Sequence, residues 1–150
     1  MKIWVDADAC PKVIKEILFR VAERAKISVT LVANSYLHAP SSAFISVLQV
    51  ADGFDIADDK IVELCGAGDL VVTADIPLAA RVIEKQACAL NPRGQLYDSN
   101  NIGPILSSRN FMHNIRSAMS ETTEGPAGFT VKDRELFSNA LDKFIVRKKS

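Results

Sequence analysis

The sequence has no excess of charge of either sign, only three cysteines, two histidines and one tryptophan, and no long apolar run. Its 18 basic and 18 acidic residues sum to zero, which excludes a global electrostatic footprint for nucleic acid or a membrane surface. Any polyanion must therefore be met by a local patch. Cys10, Cys65 and Cys88 are odd in number and far apart, with no CxxC pair and no histidine at metal-ligand spacing, so neither a disulfide framework nor a zinc site is indicated. Reduced thiols are the plain expectation. Neither His38 nor His113 stands in a Ser or Cys arrangement that suggests a triad. The first residues lack a basic leader followed by a long apolar stretch, and nothing approaches transmembrane length. We expect a soluble, cytoplasmic chain with no membrane association.

What is present is enough apolar material to fill a core: 48% of 150 residues, the size of one ordinary domain, here taken as 1–150. An apolar run, Ile3-Trp4-Val5, stops at Asp6-Ala7-Asp8 and turns into Cys10-Pro11. From Pro11 the apolar residues Val13, Ile14, Ile17, Leu18, Val21, Ala22 and Ala25 line one face of a helix, and Pro suits a first turn, where no backbone donor is needed. Ile27 to Ala33 is β-branched and apolar, the second strand of a βαβ unit. The turn-rich stretch from Asn34 to Ser42 leads to a short strand within Phe44 to Val50. Lys60 to Ala67 reads as a short helix with Ile61, Leu64 and Cys65 on its apolar side, preceded by Asp55, Asp58 and Asp59.

Leu70 to Thr73 is a third strand, Pro77 to Gln86 a helix, and Ala87 to Leu90 a short strand closed by the turn Asn91-Pro92-Arg93-Gly94. Strands and helices alternating in this order predict a mainly parallel sheet covered on both faces. Ile102 to Met119 suggests a longer helix that begins near Gly103-Pro104, and 120–129 is the best candidate for a mobile segment. Thr130 with Asp133 resembles a cap for a C-terminal helix over 131–147, whose stripe is Leu136, Phe137, Ala140, Leu141, Phe144 and Ile145.

The chemistry concentrates at strand ends. In an open α/β sheet, ligands bind outside the carboxyl ends of the parallel strands. Asp6 and Asp8 stand at the end of the first strand, and if that strand continues through both they share one side. Close carboxylates stay ionised only when a cation, basic side chains or hydrogen bonds compensate them. All-oxygen donors without thiol or imidazole suit Mg²⁺ or Mn²⁺. Helix capping explains each Asp equally well when taken alone, and Asp75, just before Ile76-Pro77, is a good N-cap. Two parallel strands each delivering an Asp at the same end is more than capping requires. Asp58 is the choice for a third arm, while Asp69 belongs to the opposite end of its strand and is read as structural. Lys12, Lys15 and Arg81 are the candidates to bind phosphate, with ordinary solvated helix charge as the alternative for each. Cys10 at a helix start is a candidate for a lowered pKa, but Glu16 stands where a Cys-based phosphatase needs Arg.

The segments Trp4-Val5-Asp6-Ala7-Asp8-Ala9-Cys10-Pro11, Gly53 to Asp58, Gly68 to Ala79 and Leu90-Asn91-Pro92-Arg93-Gly94 closely resemble the YaiI/YqxD family of bacterial proteins, as do Lys132-Asp133-Arg134, Phe137 and Leu141. That family is similar to the PIN-domain superfamily of metal-dependent ribonucleases. The resemblance implies a three-layer α/β/α sandwich, PIN-like, whose acidic cluster binds Mg²⁺ or Mn²⁺ and cleaves RNA or a related phosphodiester. It assigns Asp6, Asp58 and Asp75 to that cluster, with Asp8 carried by the nearer family's motif. In the implied mechanism Asp6 and Asp75 hold a first ion, and Asp8 and Asp58 help to hold a second or to orient water. The pattern departs from the nucleases in one place, since Phe44 to Val50 carries no carboxylate. Two alternatives stand beside it: a non-catalytic RNA-binding or protein-interaction module on the same fold, and an aspartate-based phosphatase.

Overall fold

A computed structural model describes residues 1–53, 55–108 and 131–149. The elements run β1 (Lys2–Asp6), α1 (Lys12–Ala25), β2 (Ser28–Ala33), β3 (Ile45–Gln49), α2 (Ile56–Leu64), β4 (Leu70–Val72), α3 (Ile76–Glu84), β5 (Cys88–Leu90) and β6 (Leu96–Tyr97). A helical stretch over 102–108, here α4, and α5 (Val131–Lys149) complete the described chain. The sheet has the order β3-β2-β1-β4-β5-β6. Its pairs are parallel except for β6, which runs antiparallel to β5.

Alternation along the strands sorts the core into two layers, because successive side chains point to opposite faces. Ile3, Val5, Val29, Leu31, Leu70 and Val72 pack with Ile14 and Leu18 of α1 and with Phe137 and Leu141 of α5. On the other face Trp4, Val32, Val71 and Ala89 pack with Ile61 of α2 and Leu78, Ala79 and Val82 of α3, and Ile102 and Ile105 of α4 lie against this cluster. The result is the expected three-layer α/β/α sandwich. Central strands buried on both faces read as continuous apolar runs, which is why Ile3 to Val5 and Leu70 to Val72 were legible as strands.

Several boundaries differ from expectation. Helix α2 starts at Ile56, a full turn before Lys60, so Asp58 and Asp59 lie inside its first turn rather than ahead of it. Asp55 occupies the cap position with φ +63°. The helix ends at Leu64, which is 42% exposed instead of facing the core, while Ile61 and Cys65 are buried as anticipated. Strand β6 had no signal in the sequence, being two residues long. The parallel strands β2 and β3 are joined without a helix; the connecting chain instead packs Leu37, Ala39 and Phe44 against the α1 side of the core. The expected helical residues beyond 108, the segment 120–129, and the cap residue Thr130 lie outside the described residues.

Asp69 sits where expected, at the N-terminal end of β4, and its role is structural. Its carboxylate accepts from the Lys2 backbone N at 3.0 Å, the Trp4 indole Nε1 at 3.0 Å and the Gly66 backbone N at 2.9 Å. Three donors compensate a buried charge that would otherwise be costly.

Candidate acidic site

The C-terminal ends of β1 and β4 are neighbours in the sheet, in register Ile3–Leu70, Trp4–Val71 and Val5–Val72. That register places Asp6 beside Thr73. The Thr73 hydroxyl donates to Asp6 Oδ2 at 3.0 Å and accepts the Asp75 backbone N–H at 3.0 Å. Asp75 then caps α3: its Oδ1 accepts from the Leu78 N at 3.0 Å, with Pro77 in the first turn of the helix. The capping reading of Asp75 is therefore correct, and it does not remove the residue from the site.

Asp6 and Thr73 are both buried. Burial pushes the Asp6 carboxyl above its ordinary value; the Thr73 hydrogen bond opposes this, and the charges of Asp75 and Asp8 add to the rise. Asp58 reaches the same region from α2. Desolvation first, then the charges of Asp6, Asp75 and Asp55, and a side-chain hydrogen bond with Asp55, push it up to about 6. Asp58 on α2 thus feels the charges of Asp6 and Asp75, and Asp6 those of Asp75 and Asp8. Among the described residues, however, no group of three His, Cys, Asp or Glu side chains is already drawn together to hold a metal ion.

Asp8 is placed differently from the strand-based expectation. The strand ends at Asp6, and Ala7 to Ala9 form a 3-10 turn, so alternation does not continue through Asp8. Its Oδ2 accepts from the Asn34 backbone N at 2.8 Å, and its Oδ1 accepts from the Ser35 hydroxyl at 3.3 Å. Asp8 thereby ties the start of α1 to the loop after β2. Neither Asn34 nor Ser35 was singled out, and only the turn-rich character of their loop hinted at a role.

Of the phosphate-binding candidates, Lys12 is the exposed first residue of α1 and Lys15 follows one turn later, close enough for its charge to oppose the burial that raises the Cys10 thiol. Arg81 is not early in its helix. It lies in the second half of α3, and its guanidinium pairs with Asp59 of α2 at 3.0 Å on the exposed surface. Cys10 is not activated by its place before α1: burial pushes its thiol up to about 12, against the pull of Lys15. Its Sγ instead donates to the Pro11 carbonyl at 3.7 Å.

The family profile described as "Uncharacterized BCR, YaiI/YqxD family" matches residues 4–147. The UPF0178 protein of Maridesulfovibrio salexigens is 57% identical over 147 residues, covering 98% of this chain and 97% of the relative. That of Shewanella halifaxensis is 58% identical over the same length and coverage. The UPF0178 protein of Janthinobacterium is 54% identical over 150 residues, with 100% and 99% covered. No solved structure matches the chain.

Proposed function

The chain belongs to the uncharacterised YaiI/YqxD family, and we propose that its acidic cleft is the active site of a divalent-metal-dependent phosphodiesterase of PIN-like type, acting on RNA. The observation that supports this is that Asp6 and the Asp75 backbone share the Thr73 hydroxyl at the carboxyl ends of β1 and β4, with Asp58 of α2 raised by burial and then by the charges of both. Capping alone gives no reason for three acids to share one cleft.

The donors fit Mg²⁺ or Mn²⁺ by chemistry, since they are hard oxygens whose mutual repulsion a divalent cation relieves. Asp6, Asp58 and Asp75 would hold the ion, which when bound activates water and neutralises charge on the scissile phosphate. Thr73 positions Asp6 from one side, and the Leu78 N–H fixes Asp75 from the other. Lys12 and Lys15, at the start of α1, meet the non-bridging phosphate oxygens. Asp8 adds negative charge and holds the neighbouring loop.

Calorimetric titration with Mn²⁺ tests the reading. The wild type should bind the ion, and Asp6→Asn or Asp75→Asn should weaken that binding while Mn²⁺-dependent cleavage of a labelled single-stranded RNA is lost. No affinity for Mn²⁺ in the wild type overturns the hydrolase. RNA binding by the wild type without any Mn²⁺-dependent cleavage would replace it with a non-catalytic binding module.

A further inference from the structure

The loop between β2 and β3 starts beside the acidic cleft and is fixed at both ends. At its head, Asn34 and Ser35 bond the two oxygens of Asp8. At its foot, the Ser42 hydroxyl bonds the Glu23 carboxylate of α1 and accepts the Phe44 N at 3.0 Å. Between these ties Leu37 and Ala39 insert into the α1 side of the core. The residues that alternate with them, Tyr36 and His38, are turned outward and exposed.

Tyr36 is 76% exposed, the highest value of any large apolar side chain among the described residues, whereas the other tyrosine, Tyr97, is 2% exposed. A single exposed apolar residue on a mobile loop would need no explanation. Here the backbone that carries it is held by side-chain bonds and core contacts on both sides, so the ring is presented rather than left over. Its neighbour Ser35 bonds Asp8, whose charge is felt by Asp6.

We infer that Tyr36, with His38 two residues further on, forms a stacking ledge for the bases of a single-stranded nucleic acid whose backbone enters the acidic cleft. The inference rests on the reading that this cleft takes a phosphodiester. Tyr36 and His38 flank the half-buried Leu37, so both rings stand on the solvent side of the loop. Every base offers a π face, so such a ledge recognises a single strand without selecting its sequence. A duplex, whose bases are already stacked, gains nothing from it. Lys12 and Lys15 at the start of α1 supply the local positive charge that a neutral protein needs to hold the backbone.

The test is fluorescence anisotropy with a fluorescein-labelled ten-nucleotide single-stranded RNA free of self-complementarity, in EDTA so that no cation contributes. Tyr36→Ala should weaken binding by about tenfold or more, the effect of losing one base stack. Tyr36→Phe should stay near wild type, and so should Leu64→Ala, which removes an exposed apolar side chain at the far end of α2. A matching abasic strand should bind wild type and Tyr36→Ala alike. Equal binding of the RNA by wild type and Tyr36→Ala, or no binding by wild type, overturns the ledge. Mn²⁺-dependent hydrolysis of bis(p-nitrophenyl) phosphate by the wild type then reports separately on the acidic cleft. Loss of that hydrolysis with the Tyr36 effect intact sinks the catalytic reading and leaves the ledge standing.

Discussion

The side chains of Asp6 and Thr73, 67 residues apart in the chain, are hydrogen-bonded at 3.0 Å across the carboxyl ends of two adjacent parallel strands. The same hydroxyl accepts the Asp75 backbone N–H, so one threonine positions two of the candidate acids. Its replacement separates these roles from mere packing.

Thr73→Val should destabilise the fold by roughly 1–3 kcal/mol, because a buried carboxylate loses its donor and the Asp75 N–H loses its acceptor. Thr73→Ser, which keeps the hydroxyl, should recover most of the loss. Urea unfolding at pH 7 reads both variants.

Folding raises the Asp58 carboxyl from 3.8 to about 6, and raises Asp6 as well, so the folded state favours their protonated forms. Their contribution to stability is complete below the unfolded value and is lost as pH climbs through the folded one. Stability should therefore fall between about pH 4 and pH 6. Asp58→Asn should flatten part of this slope and stabilise the protein at pH 7 by roughly 1 kcal/mol, the shift being discounted for solvent around a half-exposed group. Denaturant unfolding across that pH range checks the sign.

Asp69→Ala removes the acceptor shared by the Lys2 N, the Trp4 indole and the Gly66 N. A loss of roughly 2–4 kcal/mol is expected, since three donors at the start of β1 and β4 are left without their partner. Trp4 is the sole tryptophan, so its emission reports the change directly. Unaltered fluorescence and stability would contradict the structural role given to Asp69.

Gly94 has φ +98°, and a Cβ built there lies 2.7 Å from the Leu136 carbonyl carbon of α5. Gly94→Ala should cost roughly 2–3 kcal/mol, combining left-handed strain with a clash against helix backbone that cannot swing away. Thermal unfolding of the variant measures it. A neutral result would mean that α5 docks differently against the turn.

The sequence by itself determined the layers. Apolar runs at Ile3 to Val5, Leu31 to Ala33 and Leu70 to Val72 are buried in a mainly parallel sheet, and the stripe on α1 has a period that only a helix places on one side. These signals are local, so they survive without knowledge of the fold. The same holds for the placement of Asp6, because an acid that follows an apolar strand in a βαβ pattern stands at the carboxyl end. Asp69, at the opposite end of its strand, was legible as structural for the same reason.

Only the tertiary structure decided which acids meet and what each one does. The register of β1 against β4 makes Thr73 a partner of Asp6, and no pattern within either segment encodes that pairing. Asp8 was expected to share a strand face with Asp6, but the 3-10 turn sends it to Asn34 and Ser35 instead. Helix α2 begins a turn early, which brings Asp58 close enough to feel Asp6 and Asp75. Arg81 pairs with Asp59 because α2 and α3 lie side by side on one face of the sheet. Charge and hydrogen bonding act through space over a few ångströms, whereas periodicity acts along the chain. The layers were therefore written in the sequence, and the partners of each acid emerged only when the strands were set beside each other.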